Sequence, residues 1–189
     1  MQELNQPQTE HNILDGKMIE RIKPILLLIL DVDGVMTDGK IIMDDTGRET
    51  KHFNVKDGHG IKMLIRYGVD VAIITGRQSG VIEHRARDLG ITEVYQNILN
   101  KVEIFNDILK KKHLSCEQVA YIGDDIVDIP LLRRVGFSVA VADAVPEVKA
   151  SANYVTKKTG GDGAVREICD LILQCQDKWV GVIQKYEIL

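Results

Sequence analysis

Two carboxylates one residue apart, Asp31 and Asp33, stand directly after an aliphatic run, Ile25 to Leu30. Thr75 and Arg77 follow a second such run ending at Ile74, and Asp124 and Asp125 follow a third ending at Ile122. Asp128 lies four residues beyond Asp124, and Lys101 opens an amphipathic stretch. Carboxylates brought together repel one another, so a cation must hold them. The three cysteines, Cys116, Cys169 and Cys175, have no CxxC spacing, and no His/Cys cluster offers a zinc site. An oxygen-seeking ion such as Mg²⁺ fits the donor set. Mg²⁺ shares its coordination positions with phosphate oxygens, and a hydroxyl and an ammonium suit the oxygens that remain. The chemistry such a set would serve is phosphoryl transfer, in which a carboxylate can itself be the nucleophile. Singly, each residue has a plainer reading. Asp33-Gly34 is a strand-ending turn, Thr75 a helix N-cap, Lys101 a solvated helix-start residue, and Asp124, Asp125 and Asp128 are acids at a helix N-terminus.

These residues need a scaffold that delivers them to one edge. Short aliphatic runs alternate with amphipathic stretches along the chain, which predicts an α/β fold with a doubly wound, mostly parallel sheet. Strands are expected near 25–30, 69–74, 92–95, 119–122, 139–141 and 154–155. Helices are expected at 57–68, 79–89, 100–112, 127–134, from Pro146, and at 164–176. Two short runs around Asp44-Asp45-Thr46-Gly47 predict a β-hairpin over 40–53. Ligands bind beyond the carboxyl ends of strands in such sheets, which is where the polar residues fall. Residues 1–24, with a helical turn near Met18, and 177–189 read as tails around one domain, 25–176.

The composition excludes several classes. The 189 residues carry 24 basic and 28 acidic side chains, a net charge of −4, with no global basic footprint for nucleic acid. The longest apolar run has six residues, Ile25 to Leu30, far short of the roughly 20 that span a bilayer. The polar first twenty residues offer no apolar core for a signal peptide, and the odd cysteine count suits a reducing compartment, so a cytoplasmic protein is expected. The cysteines read as packing residues. His59, between two glycines, is a candidate to approach the site.

Asp31-Val32-Asp33-Gly34-Val35, Ile74-Thr75-Gly76-Arg77, Lys101 and Gly123-Asp124-Asp125 with Asp128 resemble the four ordered motifs of the haloacid dehalogenase-like phosphohydrolases. Further similarity to a capless branch of that superfamily runs through Phe53-Asn54-Val55-Lys56-Asp57-Gly58, Leu89-Gly90-Ile91, Ser138 to Asp143 and Gly163 to Glu167. The resemblance implies a Rossmann-like fold and an aspartyl-phosphate mechanism. Asp31 is then the nucleophile and Asp33 the general acid and base. Asp31, Asp124 and the backbone carbonyl of Asp33 hold Mg²⁺, and Thr75 and Lys101 meet the phosphoryl group.

The spacing leaves no room for a cap domain: 44 residues separate Asp31 from Thr75 and 23 separate Lys101 from Asp124. The hairpin is expected to act as a flap, and the resemblance implies a homotetramer in which a neighbour covers the site. The hairpin and Gly160 to Gly163 are candidates for contacts between subunits. The implied substrate is an acidic sugar phosphate, an eight- or nine-carbon keto-acid sugar. Its contacts are expected from Asp33, Asn54, Val55, Lys56, Asp57, Gly58, Lys62, Arg77, Arg85, Lys101 and Asp128. Lys62 stands where the family pattern favours arginine, keeping the charge but not the bidentate fork. Two rivals remain. A receiver domain uses similar residues, but with its acid pair first and its phosphorylated aspartate mid-chain. A non-catalytic oligomerisation module derived from a phosphatase should have lost Asp31 or Asp33.

Overall fold

The structure is a computed structural model describing residues 15–187. Residues 1–14, read as tail, lie outside the described residues, as do 188–189. Strand β1 (Leu27–Leu30) is buried along its whole length. An aliphatic run with no polar face needs cover on both sides, and it receives it. β1 lies inside a six-stranded sheet with β4 (Asp70–Ile74), β5 (Glu93–Tyr95), β6 (Val119–Gly123), β7 (Phe137–Ala140) and β8 (Tyr154–Val155). The order is β5-β4-β1-β6-β7-β8, and every pairing is parallel.

The chain winds from β1 outward through β4 to β5, then crosses back to β6 and continues outward to β8. The strand order therefore reverses beside β1, the kind of crevice where open α/β sheets bind ligands. Leu30 is level with Ile73 on one neighbour and Ile122 on the other. Asp31, Thr75 and Asp124 consequently leave the sheet at one edge.

Helix α2 (Val55–Arg66) packs on α3 (Gly80–Leu89), α7 (Ala164–Cys175) and β4. Helix α5 (Ile129–Leu132) packs on α4 (Lys101–Lys112), α6 (Pro146–Ser151), β6 and β7. The amphipathic α7 buries Val165, Ile168, Cys169, Leu171 and Ile172, so Cys169 is a packing residue as expected. Strands β2 (Ile42–Met43) and β3 (Glu49–Thr50) form the expected hairpin as a separate antiparallel pair. The Asp44 carboxylate closes its turn by accepting from the backbone N–H groups of Thr46 and Arg48 at 3.0 and 2.9 Å.

Four elements differ from expectation. Both ends of the chain carry packed helix where tails were read: the turn expected near Met18 extends to the seven-residue α1 (Gly16–Ile22), which buries Ile22, and α8 (Trp179–Lys185) buries Val182. Asp177, in the left-handed region at φ 56°, separates α8 from α7. Helix α2 begins at Val55 because the Asn54 side chain accepts from the Lys56 N–H and caps it. The stretch 127–134 divides into a 3₁₀ turn, Ile126–Asp128, followed by the single turn of α5, with Pro130 near its start. Among the described residues no helix is long and apolar enough to cross a membrane.

Candidate active site

The residues that leave the sheet edge surround a cavity of about 430 Å³, lined by Asp31, Asp33, Thr75, Arg77, Lys101 and Asp124 among others. Lys101, the first residue of α4, is 5% exposed, and its ammonium has three partners. It lies 3.2 Å from Asp31 Oδ2, 2.7 Å from Asp128 Oδ1 and 3.1 Å from the Tyr121 hydroxyl. Burial opposes its charge, but Asp31 and Asp128 outweigh burial and raise its pKa. The solvated reading of Lys101 is thereby set aside.

Asp128 has no exposed surface. Its Oδ1 accepts from Lys101 and, at 2.6 Å, from Tyr121; its Oδ2 accepts from the backbone N–H groups of Asp124 and Asp125 at 2.9 and 3.3 Å. The expectation that Asp128 touches substrate is therefore corrected. It faces inward, holds Lys101 and shapes the loop that presents Asp124.

Oxygen atoms of Asp31, Asp124 and Asp128 lie within 4.8 Å of one another. With both Asp128 oxygens occupied, Asp31 and Asp124 are the carboxylates available to an ion. Burial, opposed by Lys101 and aided by the charge of Asp128, pushes Asp31 up to about 6. Burial and the charges of Asp128 and Asp31 push Asp124 up to about 7. These are acids short of positive charge, and an all-oxygen donor set suits Mg²⁺. The backbone leaves room for Asp124 at one point. Gly34 sits at φ +86°, and a Cβ there would lie 2.0 Å from Asp124 Oδ2. Gly34→Ala is expected to destabilise the fold by about 1–2 kcal/mol and to weaken Mg²⁺ binding by roughly tenfold or more. Melting curves and calorimetric Mg²⁺ titration check both effects.

Thr75 is 2% exposed at the cavity wall, and its hydroxyl oxygen accepts a long hydrogen bond, 3.4 Å, from the Arg77 N–H. The Asp33 carboxylate points to the hairpin, where Oδ1 pairs with Lys51. Its Oδ2 is buried without a hydrogen-bond donor, 3.6 Å from Arg77 Nε. Sequence reasoning missed Lys51, Glu49 and Tyr121. Tyr121 alone carried a signal, as a polar-tipped aromatic inside the aliphatic β6.

The expected substrate contacts on α2 and α3 do not join this cavity. Asn54 is a helix cap, and with Lys56 it lines a separate cleft of about 510 Å³ beside α7. Asp57 is buried and caps α7, accepting from the N–H groups of Arg166 at 2.7 Å and Gly163 at 3.3 Å. Gly58 is buried because Arg85 occupies the space its Cβ would need. Arg85 lies over the Phe53 ring and donates to the Asn54 carbonyl at 3.3 Å. Val55 and Lys62 are exposed beside Arg85 and His59, around a hollow of about 180 Å³. His59 packs edge-on against Tyr186, away from the aspartates.

Gly160 to Gly163, expected at a subunit contact, packs within its own chain. Gly161 donates to the Val35 carbonyl at 3.0 Å, and a Cβ on Gly160 would lie 1.8 Å from the Gly34 carbonyl oxygen.

A family model described as haloacid dehalogenase-like hydrolase matches residues 86–168. The 3-deoxy-D-manno-octulosonate 8-phosphate phosphatase KdsC of Yersinia pestis is 54% identical over 164 residues, 87% of this chain and 88% of that protein. The chain belongs to the 3-deoxy-D-manno-octulosonate 8-phosphate phosphatases, a family of haloacid dehalogenase-like hydrolases. The crystal structure of the Yersinia pestis phosphatase superposes with a TM-score of 0.87 at 53% identity, covering 88% of this chain and 90% of that one. The family's Moraxella catarrhalis phosphatase, crystallised with magnesium ion, phosphate ion and KDO, superposes with a TM-score of 0.88 at 39% identity, covering 90% and 98%. This chain is accordingly a phosphatase, and its architecture is the family's: a mostly parallel sheet with a hairpin.

Proposed function

We propose that the chain hydrolyses 3-deoxy-D-manno-octulosonate 8-phosphate, releasing phosphate through an aspartyl-phosphate on Asp31. The observation that carries this reading is the array at the strand-order reversal: Asp31 and Asp124 face the cavity, and Lys101, fixed by Asp128 and Tyr121, is beside Asp31. Identity of about half over most of the chain to phosphatases of that name supports the substrate.

An Asp31 carboxylate oxygen attacks phosphorus, and the bond to the sugar oxygen breaks. Asp33 gives that departing oxygen a proton. The resulting Asp33 carboxylate then takes a proton from the water that hydrolyses the phosphoaspartate, which frees Asp31. Lys101 keeps Asp31 ionised and brings positive charge to the phosphoryl group; its three N–H donors are already engaged, so it acts chiefly through its field. The Thr75 hydroxyl donates to a phosphoryl oxygen. Asp31, Asp124 and the Asp33 carbonyl are the proposed Mg²⁺ ligands. The ion supplies Lewis-acid charge that lets a carboxylate and a phosphate meet. Arg77, 44% exposed at the mouth, is the cation in this chain placed for the sugar carboxylate.

Self-association as a homotetramer completes the reading. Ile41, Ile42 and Met43 on the hairpin are exposed, as are Leu99 in the loop after β5 and Ile126 and Val127 in the 3₁₀ turn after β6. A second copy would cover such a surface, and it would give Val55, Lys56 and Lys62 a site to reach. Light scattering should find four chains. The free cysteines suit a cytoplasmic setting.

The acids also set a pH test. In the metal-free fold Asp31 and Asp124 titrate near 6 and 7, against 3.8 for an ordinary aspartate. Between these limits the folded chain binds more protons than the unfolded one. The stability from these groups is fully present below about pH 4 and is lost as pH rises through about 6 and 7. Mg²⁺ takes the place of the protons. The rise in Tm on adding Mg²⁺ is therefore expected to be larger at about pH 8 than at about pH 5. Equal shifts would contradict this assignment. Phosphate release should need Mg²⁺ and stop with EDTA.

A further inference from the structure

The hairpin residue Lys51 sits outside every motif, yet its side chain is only 2% exposed. A buried ammonium is costly unless it is paired. Its partners are Asp33 Oδ1 and, at 3.2 Å, Glu49 Oε1. Glu49 Oε1 also accepts from Arg77 Nη2 at 2.9 Å, and Arg77 Nε lies 3.6 Å from Asp33 Oδ2. The four side chains close a ring of alternating charge, Asp33, Lys51, Glu49 and Arg77. Hydrogen bonds from Ser79 and Lys51 and the charge of Arg77 hold Glu49 below the usual carboxylate range, despite its partial burial. The ring joins three separate pieces of chain: the loop after β1, the hairpin strand β3 and the loop after β4. Two-residue strands have little intrinsic hold, so this ring ties the hairpin to the cavity.

The two oxygens of Asp33 are thereby made unequal. Oδ1 is pinned by Lys51, whereas Oδ2 is buried and has no hydrogen-bond donor. We propose that Lys51, held in place by Glu49, is a positioning residue that fixes the Asp33 carboxyl in the orientation from which it exchanges protons with substrate and water. This rests on the acid–base role given to Asp33 above. In the first step the Asp33 carboxyl passes its proton to the sugar oxygen as the P–O bond breaks, leaving a carboxylate. In the second step that carboxylate takes a proton from the attacking water. Lys51 itself transfers nothing. A flap that only roofed the cavity would not need a buried cation on the acid.

The discriminating measurement is the leaving-group dependence of kcat/KM, which reports events up to phosphoryl transfer. A sugar oxygen departs as a poor leaving group and needs the proton; p-nitrophenolate departs without it. Lys51→Met is expected to lower kcat/KM for 3-deoxy-D-manno-octulosonate 8-phosphate by about 100-fold, and that for p-nitrophenyl phosphate by less than about fivefold. Lys51→Arg should restore most of the loss, and Glu49→Gln should show the same asymmetry in smaller measure. The Mg²⁺ concentration giving half-maximal rate should not move. Equal losses on both phosphates, or no loss on the sugar phosphate, would overturn the proposal. If Lys51→Met fails to fold, the asymmetry in Glu49→Gln decides in the same way. A wild-type enzyme that turns over the aryl phosphate but not the sugar phosphate would instead refute the substrate reading, with the ring then tested on another alkyl phosphate.

Discussion

Asp31→Asn is expected to lower kcat by about 10⁴-fold or more while the protein stays folded. An amide offers no anionic oxygen to attack phosphorus, and the remaining groups cannot form the covalent intermediate. The substitution also removes one charge from a crowded set. Asp31 is raised to about 6 because burial opposes its ionisation, with the Asp128 charge adding to the effect. The neutral amide is free of that penalty, so the metal-free variant should melt no lower than wild type at about pH 8. Lys101 keeps its contacts with Asp128 and Tyr121 in the variant. Phosphate release and melting curves on one preparation separate the two effects. An active variant would exclude Asp31 as nucleophile, and an unfolded one would contradict the account of its charge.

Asp128→Ala should give the largest loss of stability, about 3–5 kcal/mol, the range for breaking a buried pair from one side. The alanine leaves the Lys101 ammonium with Asp31 as its one carboxylate partner, leaves the Tyr121 hydroxyl without its acceptor and frees two backbone N–H groups in the Asp124 loop. All of these lie where water has little access. Activity should fall too, since Lys101 and Asp124 both depend on Asp128 for their placement. Urea denaturation at about pH 7.5 checks the magnitude. A loss below about 1 kcal/mol would mean that the network relaxes and that Asp128 is not its keystone. Asp128→Asn keeps the shape but puts donors where acceptors are needed, and it should fall between wild type and alanine.

The aspartates that line the cavity were legible because they lie next in sequence to the features that position them. A buried aliphatic run has to be a central strand, and the first polar residues after it have to emerge at the sheet edge. Asp31, Thr75 and Asp124 follow from that rule, and Lys101 from its place at the start of α4. Asp128 was legible as a member of the set but not in its direction. Whether an aspartate four residues on looks outward or inward depends on the 3₁₀ turn Ile126–Asp128, which no periodic pattern announces. Asn54 and Asp57 were misread for a related reason. An Asn before a helix and an acid in its first turn serve as well for capping as for binding. Here Asn54 caps α2 while Asp57 reaches 109 residues along the chain to the Arg166 N–H.

Lys51 and Glu49 were invisible because their meaning is wholly tertiary. The hairpin that carries them has two-residue strands, and Lys51 meets an aspartate 18 residues away. The two end helices were hard to read through their shortness: α1 was legible only as a turn near Met18, and α8 was missed. Each has seven residues, and Ile22 and Val182 are their buried members.

The most direct test is kcat/KM with Mg²⁺ for 3-deoxy-D-manno-octulosonate 8-phosphate, beside neutral sugar phosphates and a sialic acid 9-phosphate. The eight-carbon acid sugar is expected to be hydrolysed best, by about tenfold or more over any neutral sugar phosphate, since one charged contact to its carboxylate accounts for such a difference. Preference for the nine-carbon acid or for a neutral sugar would contradict the substrate assignment while leaving the aspartyl-phosphate chemistry in place. No metal-dependent turnover of any phosphate by the folded protein would contradict the account as a whole.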